Sequence, residues 1–295
     1  MVCFPSLKIL YFEAIDSNSN LMQTFFRSCP VLEELTIHVD IEFNENVTTF
    51  DITVPTLKTL IIYMLTDCNV NRHVSIHKFV IRAHNLEQLY IDDDTLACFV
   101  MDETPFISDA SLDDCFSLLS RYEPSKNEAN HAMVLLRAIK NTKFLSLSEG
   151  VMGVLILAFD GNLPTFPNLI RLEAAIDAYF GRKLLPHFLN NSANPEVLIL
   201  KKEYDIELPL VRFFYFESEI VPSFLILHVK EIKMIHMMGD LDELEVMWYL
   251  LKNNKVLKRF LAGFIRNIDS KIKKYLHYQI SRFPKGSNSL EVEFC

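Results

Sequence analysis

His73 and His77 stand four residues apart, the spacing that places two imidazoles on one face of a helical turn. With a third carboxylate or thiolate ligand such a pair holds zinc, but the HExxH frame that would complete a catalytic site is missing. The pair therefore reads as solvated or capping, with no metal. Asp92, Asp93 and Asp94 are consecutive, whereas a calcium loop needs carboxylates at alternate positions and a glycine at its bend, so the triplet reads as a solvated strand end. The six cysteines, Cys3, Cys29, Cys68, Cys98, Cys115 and Cys295, come no closer than 17 residues to one another. That spacing excludes a CxxC knuckle or redox pair and leaves buried, reduced thiols. No GxSxG elbow gathers the scattered Ser, His and Asp residues into a triad. Only 7 glycines occur, in neither a GxGxxG nor a GxxxxGK[ST] frame, so the backbone cradles for nucleotide phosphates are absent. These residues predict a protein that is not an enzyme and carries no cofactor.

The elements that position these residues come from a chain of 295 residues, half of them apolar and 23% charged, a balance that supports a large core. Lys plus Arg number 29 against 38 Asp plus Glu, a net charge of −9, which argues against nucleic acid as a partner. The longest uncharged apolar runs, Val151 to Phe159 and Ile220 to Val229, are about half of the roughly 20 residues a bilayer requires, so no membrane association is expected. The first residues, MVCFPSLKILYFEAI, carry no basic segment ahead of their apolar ones; a cytoplasmic or nuclear location is the expectation.

A repeat organises the chain. FPSLKILYF from Phe4, CPVLEELTI from Cys29 and VPTLKTLII from Val54 share a Pro-x-Leu-x-x-Leu-x-apolar frame, with Leu7, Leu32 and Leu57 spaced 25 apart and AHNLEQLYI following at Leu86. The frame returns in FPNLIRLEA at Leu169 and then near Pro195, Val229 and Leu257. An L-x-x-L-x-L unit makes one short strand per repeat, alternate residues entering the core, and successive strands stack in parallel. The predicted fold is α/β: a right-handed leucine-rich-repeat solenoid with a mostly parallel sheet. Leu10, Leu35, Leu60 and Leu89 should share one core, and truncating Leu35 or Leu60 to Ala should cost about 2–5 kcal/mol. Helical return segments are expected at SNLMQTFFRS, at NEANHAMVLLRAIKN, at GDLDELEVMWYLLKNN with Asp240 and Glu243 as a capping box, and at Lys271 to Ser281 with an apolar stripe of Ile272, Tyr275, Leu276 and Ile280. Pro195, lacking an N–H, should weaken its strand's pairing. Residues 95–127 read as an irregular insertion out of repeat register, and SLEVEF as a closing one-sided strand.

The frame also fixes which side chains point away from the core. They fall into three columns across neighbouring strands: Ile9, Glu34, Thr59 and Gln88; then Tyr11, Thr36, Ile61 and Tyr90; then Glu13, His38, Tyr63 and Asp92. Tyrosines interleaved with carboxylates suit a protein-binding face. β-Propensity alone would also place Tyr and Ile there. The basic run Lys271, Lys273 and Lys274 is read as the wet face of the last helix.

The ordered series FPSLKIL, CPVLEELTI, FPNLIRLEA, LLPHFLNNSANPEVLIL, IVPSFLILHVKEIKM, KVLKRFL and FPKGSNSLEVEF resembles the leucine-rich-repeat and FBD portion of plant F-box proteins. The resemblance implies repeats over 1–215, an FBD domain over 216–295, and a non-catalytic protein-interaction module like the substrate-recognition part of an SCF-type ubiquitin ligase. Its partner would be an unknown target protein on the concave strand face. Phe224 departs from the family's usual cysteine after Val-Pro. Family members usually begin with an F-box that docks on a Skp-type adaptor; with Met1 three residues before the first repeat, adaptor binding is not expected of this chain. A stand-alone product competing with intact relatives is the alternative. A repeat array also needs its end covered, so an open first strand, Leu7 to Phe12, prone to aggregation or dimerisation, is a further expectation.

Overall fold

The computed structural model describes residues 3–14, 19–40, 49–65, 77–93, 97–101, 106–113, 126–175, 180–202 and 223–295. It divides into two compact units, Met1–Pro164 and Thr165–Cys295.

In the first unit the repeat frame dictates strands β1 (Ile9–Ala14), β2 (Glu34–Asp40), β4 (Thr59–Leu65), β6 (Gln88–Asp93), β8 (Asp109–Asp113) and β9 (Phe144–Leu147). They lie in that order, all parallel. Leu35, Leu60 and Leu89 are buried neighbours in register, and the frame leucines Leu32, Leu57 and Leu86 are buried ahead of them. Leu10 occupies the same row in β1 but is only half-buried. A hydrogen-bonded step carries the stack at each strand entry: Glu33 N–H donates to Lys8 C=O, Lys58 to Glu33, Glu87 to Lys58, Ser108 to Glu87 and Lys143 to Ser108.

The return segments are partly strands. Between α1 (Ser19–Arg27) and α2 (Lys126–Ala138) run β3 (Thr49–Thr53), β5 (Lys78–Arg82) and β7 (Cys98–Met101), a second parallel sheet. Their sequences, TFDIT, KFVIR and CFVM, are aromatic and β-branched, too short and too stiff at χ1 for helices. Phe50, Phe79 and Phe99 occupy one register row and stack at 4.7 and 5.0 Å. Ile91 and Leu112 of the main sheet, Phe99 of the second, Leu135 of α2 and Val151 of α3 (Glu149–Ala158) line one small apolar pocket, so both sheets face a common core.

The reading of 95–127 as out of register is corrected for its described part. β8 lies in full register between β6 and β9, with Ile107, Ala110 and Leu112 buried where other repeats carry Leu or Ile. Alanine at the middle position hid the frame. Residues 114–125 lie outside the described residues.

The second unit contains β10 (Arg171–Ala175), α4 (Phe180–Asn190), β11 (Val197–Lys201), α5 (Ser223–Leu227), β12 (Glu231–Met237), α6 (Leu241–Asn253), β13 (Arg259–Phe264), α7 (Ser270–Ser281) and β14 (Glu291–Phe294). Its five strands pair in parallel in chain order. Pro195 sits two residues ahead of β11, where Glu196 and Val197 N–H both reach Ile170 C=O, so the missing N–H costs no ladder bond and pairing is not weakened. The side chain of Phe224 lies outside the described set. At the C-terminal end of β12 the register shifts between Met234 and Met237, and exposed His236 takes φ 61° to make the bulge. The capping box of α6 forms: buried Glu243 accepts from the N–H groups of Met238, Gly239 and Asp240 at 3.0, 2.7 and 3.2 Å. In α7 the expected stripe holds only in part. Leu276 and Ile280 are buried, whereas Ile272 and Tyr275 are about half exposed at 49% and 57%.

Candidate partner-binding face

Parallel register places the expected columns side by side. Ile9, Glu34, Thr59 and Gln88 are consecutive partners, continued by Asp109 and Phe144; Tyr11, Thr36, Ile61 and Tyr90 continue to Ser111 and Ser146; Glu13, His38, Tyr63 and Asp92 continue to Asp113. Strand alternation puts these side chains opposite the buried row. Ile9 and Tyr11 are 64% and 62% exposed, and Glu13, Glu34 and Gln88 are also exposed. Thr36, His38, Thr59, Ile61, Tyr63 and Tyr90 are half-buried by their neighbours on the face. Asp92 departs from the expectation: it is buried, in register between Tyr63 and Asp113, and offers a partner little surface.

Four rings form a continuous ladder over four strands. Tyr11 and His38 have centroids 4.8 Å apart, His38 and Tyr63 4.3 Å, and Tyr63 and Tyr90 5.5 Å. Tyr90 O–H donates to Asp113 Oδ2 at 3.4 Å. Burial first, then the nearby Asp113 and Asp92 carboxylates, push the Tyr90 hydroxyl well above its ordinary range, so it remains a donor at physiological pH. Thr59 O–H donates to Gln88 Oε1 at 3.2 Å.

Charge is distributed unevenly. Among the described residues of the three columns there are five carboxylates, Glu13, Glu34, Asp92, Asp109 and Asp113, and no Lys or Arg. Lys8 and Lys58 stand at the strand entries, where they clasp Glu33 at 2.7 and 3.0 Å and hold its carboxyl down to about 2, the Lys8 hydrogen bond contributing most. The corresponding face of the second unit is self-compensated. Arg171 and Lys201 pair with Glu173, Lys233 with Glu231 at 3.1 Å, and Arg259 with Glu231 at 3.7 Å and Glu293 at 3.2 Å. The contrast extends to the units as wholes. Residues 1–164 hold eleven Lys and Arg against twenty-two Asp and Glu, a net charge of −11, while 165–295 hold eighteen against sixteen, a net charge of +2.

The other candidate chemistry turns inward. His77, expected to be solvated, is buried against Phe50, with centroids 6.1 Å apart and neither ring nitrogen hydrogen-bonded among the described residues. Burial pushes its pKa down. His73 lies outside the described residues. Asp93 is buried too and accepts the Ala97 N–H at 2.8 Å, so Asp92 and Asp93 are not a solvated end, and Asp94 lies outside the described residues. Cys29 is buried as expected, but Cys3 and Cys295 are exposed. Among the described residues no three metal-ligating side chains gather, and no helix is long and apolar enough to cross a membrane.

Two structural positions escaped the sequence reading. Asn254, fully buried, bridges two strand entries by donating Nδ2–H to Val229 C=O at 2.8 Å and accepting the Val256 N–H at 2.9 Å. A Cβ at Gly286 would lie 2.5 Å from the Lys252 and Asn254 carbonyl oxygens, so only glycine lets this backbone reach the end of α6, where its N–H meets Leu251 C=O. The FPKGSNSLEVEF motif carries that signal: a glycine in an otherwise ordinary loop.

The chain is 28% identical to an F-box/FBD/LRR-repeat protein of Arabidopsis thaliana over 304 residues, covering 99% of this chain and 66% of the relative. It is 26% identical over 266 residues to another Arabidopsis F-box/FBD/LRR-repeat protein, covering 88% and 57%. An FBD-associated F-box protein of the same plant is 27% identical over 212 residues, covering 70% and 48%. The chain thus spans about half to two thirds of the length of these relatives. No family model and no solved structure matches it.

Proposed function

The chain is kin to the plant F-box/FBD/LRR-repeat proteins, and from that kinship we propose that it is a non-catalytic interaction module whose partner-binding surface is the strand face of residues 1–164. Residues 1–215 serve as the leucine-rich-repeat region and 216–295 as the FBD segment. The observation that carries this reading is the ring ladder of exposed Tyr11 and half-buried His38, Tyr63 and Tyr90, held in register over four strands on the outward side of the sheet. Rigid aromatic area with hydroxyls and adjacent carboxylates is the composition of binding hot spots. The captured protein would be a substrate for ubiquitin transfer, as the F-box in the relatives' names suggests.

The test is retention of proteins from plant extract by the immobilised chain and by a folded Tyr11→Glu/Ile61→Glu variant. Proteins held by the native chain should be lost by this variant and kept by Lys274→Ala, an exposed change on α7. Identical retention by all three would overturn the face. For the ligase role, a fusion carrying a relative's F-box should ubiquitinate the retained protein in a reconstituted reaction; absence of transfer would remove that role and leave the binding.

A further inference from the structure

We propose that the strand face of residues 1–164 binds a basic partner: an extended segment of about six residues with Lys or Arg near both ends. The inference rests on the reading that this face is the one that binds protein, and names what it binds.

Three observations converge. Besides buried Asp92, the face carries four carboxylates and no Lys or Arg among its described residues, while most charges of its counterpart in the second unit are paired internally. Exposed Glu13 and Glu34 make no ion pair among the described residues. Tyr63 on β4 and Tyr90 on β6 lie between the strands of these two glutamates, β1 and β2, and the carboxylates of Asp109 and Asp113 on β8, while Tyr11 and His38 share β1 and β2 with the glutamates. From β1 to β8 there are four strand intervals of about 4.8 Å, roughly 19 Å, which an extended chain covers in about six residues. A segment lying across the strands would set terminal cations against carboxylates and its middle over the rings. Ammonium and guanidinium groups are attracted both to carboxylate oxygens and to tyrosine faces.

Other occupants fit less well. Nucleic acid and anionic lipid would be repelled by a unit of net charge −11. A neutral apolar surface would desolvate the carboxylates without replacing their water.

The probes are two fluorescein-labelled peptides, Arg-Ser-Leu-Ser-Leu-Arg and Glu-Ser-Leu-Ser-Leu-Glu, titrated with the full chain by fluorescence anisotropy at about 50 mM salt. The basic peptide should bind at least tenfold more tightly. E13K/E34K, at two exposed positions, should erase most of that preference, Tyr63→Ala should weaken binding severalfold, and E291K on β14 should change nothing. Equal binding of the two peptides, a preference that survives E13K/E34K, or tighter binding of a DNA duplex or phosphatidylserine vesicles would each overturn the proposal. The capture experiment separates the two levels. Retention lost in Tyr11→Glu/Ile61→Glu but unchanged in E13K/E34K sinks the basic segment and leaves the face, whereas retention indifferent to both removes the face itself.

Discussion

Asn254 and Gly286 hold the backbone of the second unit in ways that apolar packing cannot, because one satisfies and the other permits contacts of backbone polar groups. Asn254 fills both its hydrogen-bonding roles in a fully buried position, so Asn254→Ala leaves the buried Val229 acceptor and the half-buried Val256 donor unmet and should cost about 2–4 kcal/mol. Gly286→Ala places a methyl 2.5 Å from two carbonyl oxygens, and backbone must move; a loss of similar size is expected, read as the urea midpoint of each variant. His77 gives the pH counterpart. Its pKa is lowered by burial, so below about pH 6.5 the unfolded chain takes up a proton that the folded chain does not. Stability contributed by the neutral ring is present above that pH and lost as pH falls toward the depressed folded value. Thermal melts between pH 7.5 and 5 should show a smaller decline for His77→Phe than for the native chain. The register of the outward columns was legible, because strand alternation and register follow from the leucine frame alone; the burial of Asp92 within its column was not. The inward turn of His77 was not legible, since it lies on no frame position; Asp93 does continue the inward row of Leu89 and Ile91, in register with buried Met64, but its polar type argued for solvent.

At the scale of elements, propensity was readable where an amphipathic pattern ran uninterrupted for three turns, as in α2 and α6, and was missed in α4, which carries Pro186, and where segments were short. TFDIT, KFVIR and CFVM are each four or five residues, below the length at which alternation separates from chance. Their strand character is settled by one another, through the Phe50–Phe79–Phe99 stack. β8 shows the converse: Ala110 breaks the leucine frame in sequence, yet neighbouring strands impose the register. For α6 the sequence signal and the structure agree, and Glu243 adds an unanticipated role. It accepts three consecutive N–H groups and lies 3.3 Å from Lys202. Glu243→Ala should therefore exceed an ordinary capping loss, at about 2–3 kcal/mol, while Glu243→Gln, which keeps an acceptor, should lose about half as much. Calorimetric unfolding of the two variants distinguishes them; equal losses would mean that the charge facing Lys202, rather than acceptance from the backbone, is what matters.

For the whole molecule, charge asymmetry separates two otherwise similar repeat units. A net −11 carried by 1–164 is a self-repulsion that the fold tolerates, and a surface so charged is retained at the expense of stability. The opposing term is small. The pairs Lys8–Glu33, Lys58–Glu33 and Arg82–Asp51 are partly or largely exposed, where solvent screening and side-chain entropy leave an ion pair little net contribution. Raising ionic strength from about 0.01 to 0.15 M shortens the Debye length from about 30 to about 8 Å, which screens repulsion across the unit more than attraction within a contact pair. Hydrogen exchange in the full chain should consequently slow in β2 and β4 as salt is added, while β11 and β12, in the unit of net +2, change little. Faster exchange in β2 and β4 would mean that the exposed ion pairs outweigh the repulsion and that the acidic face carries no stability cost.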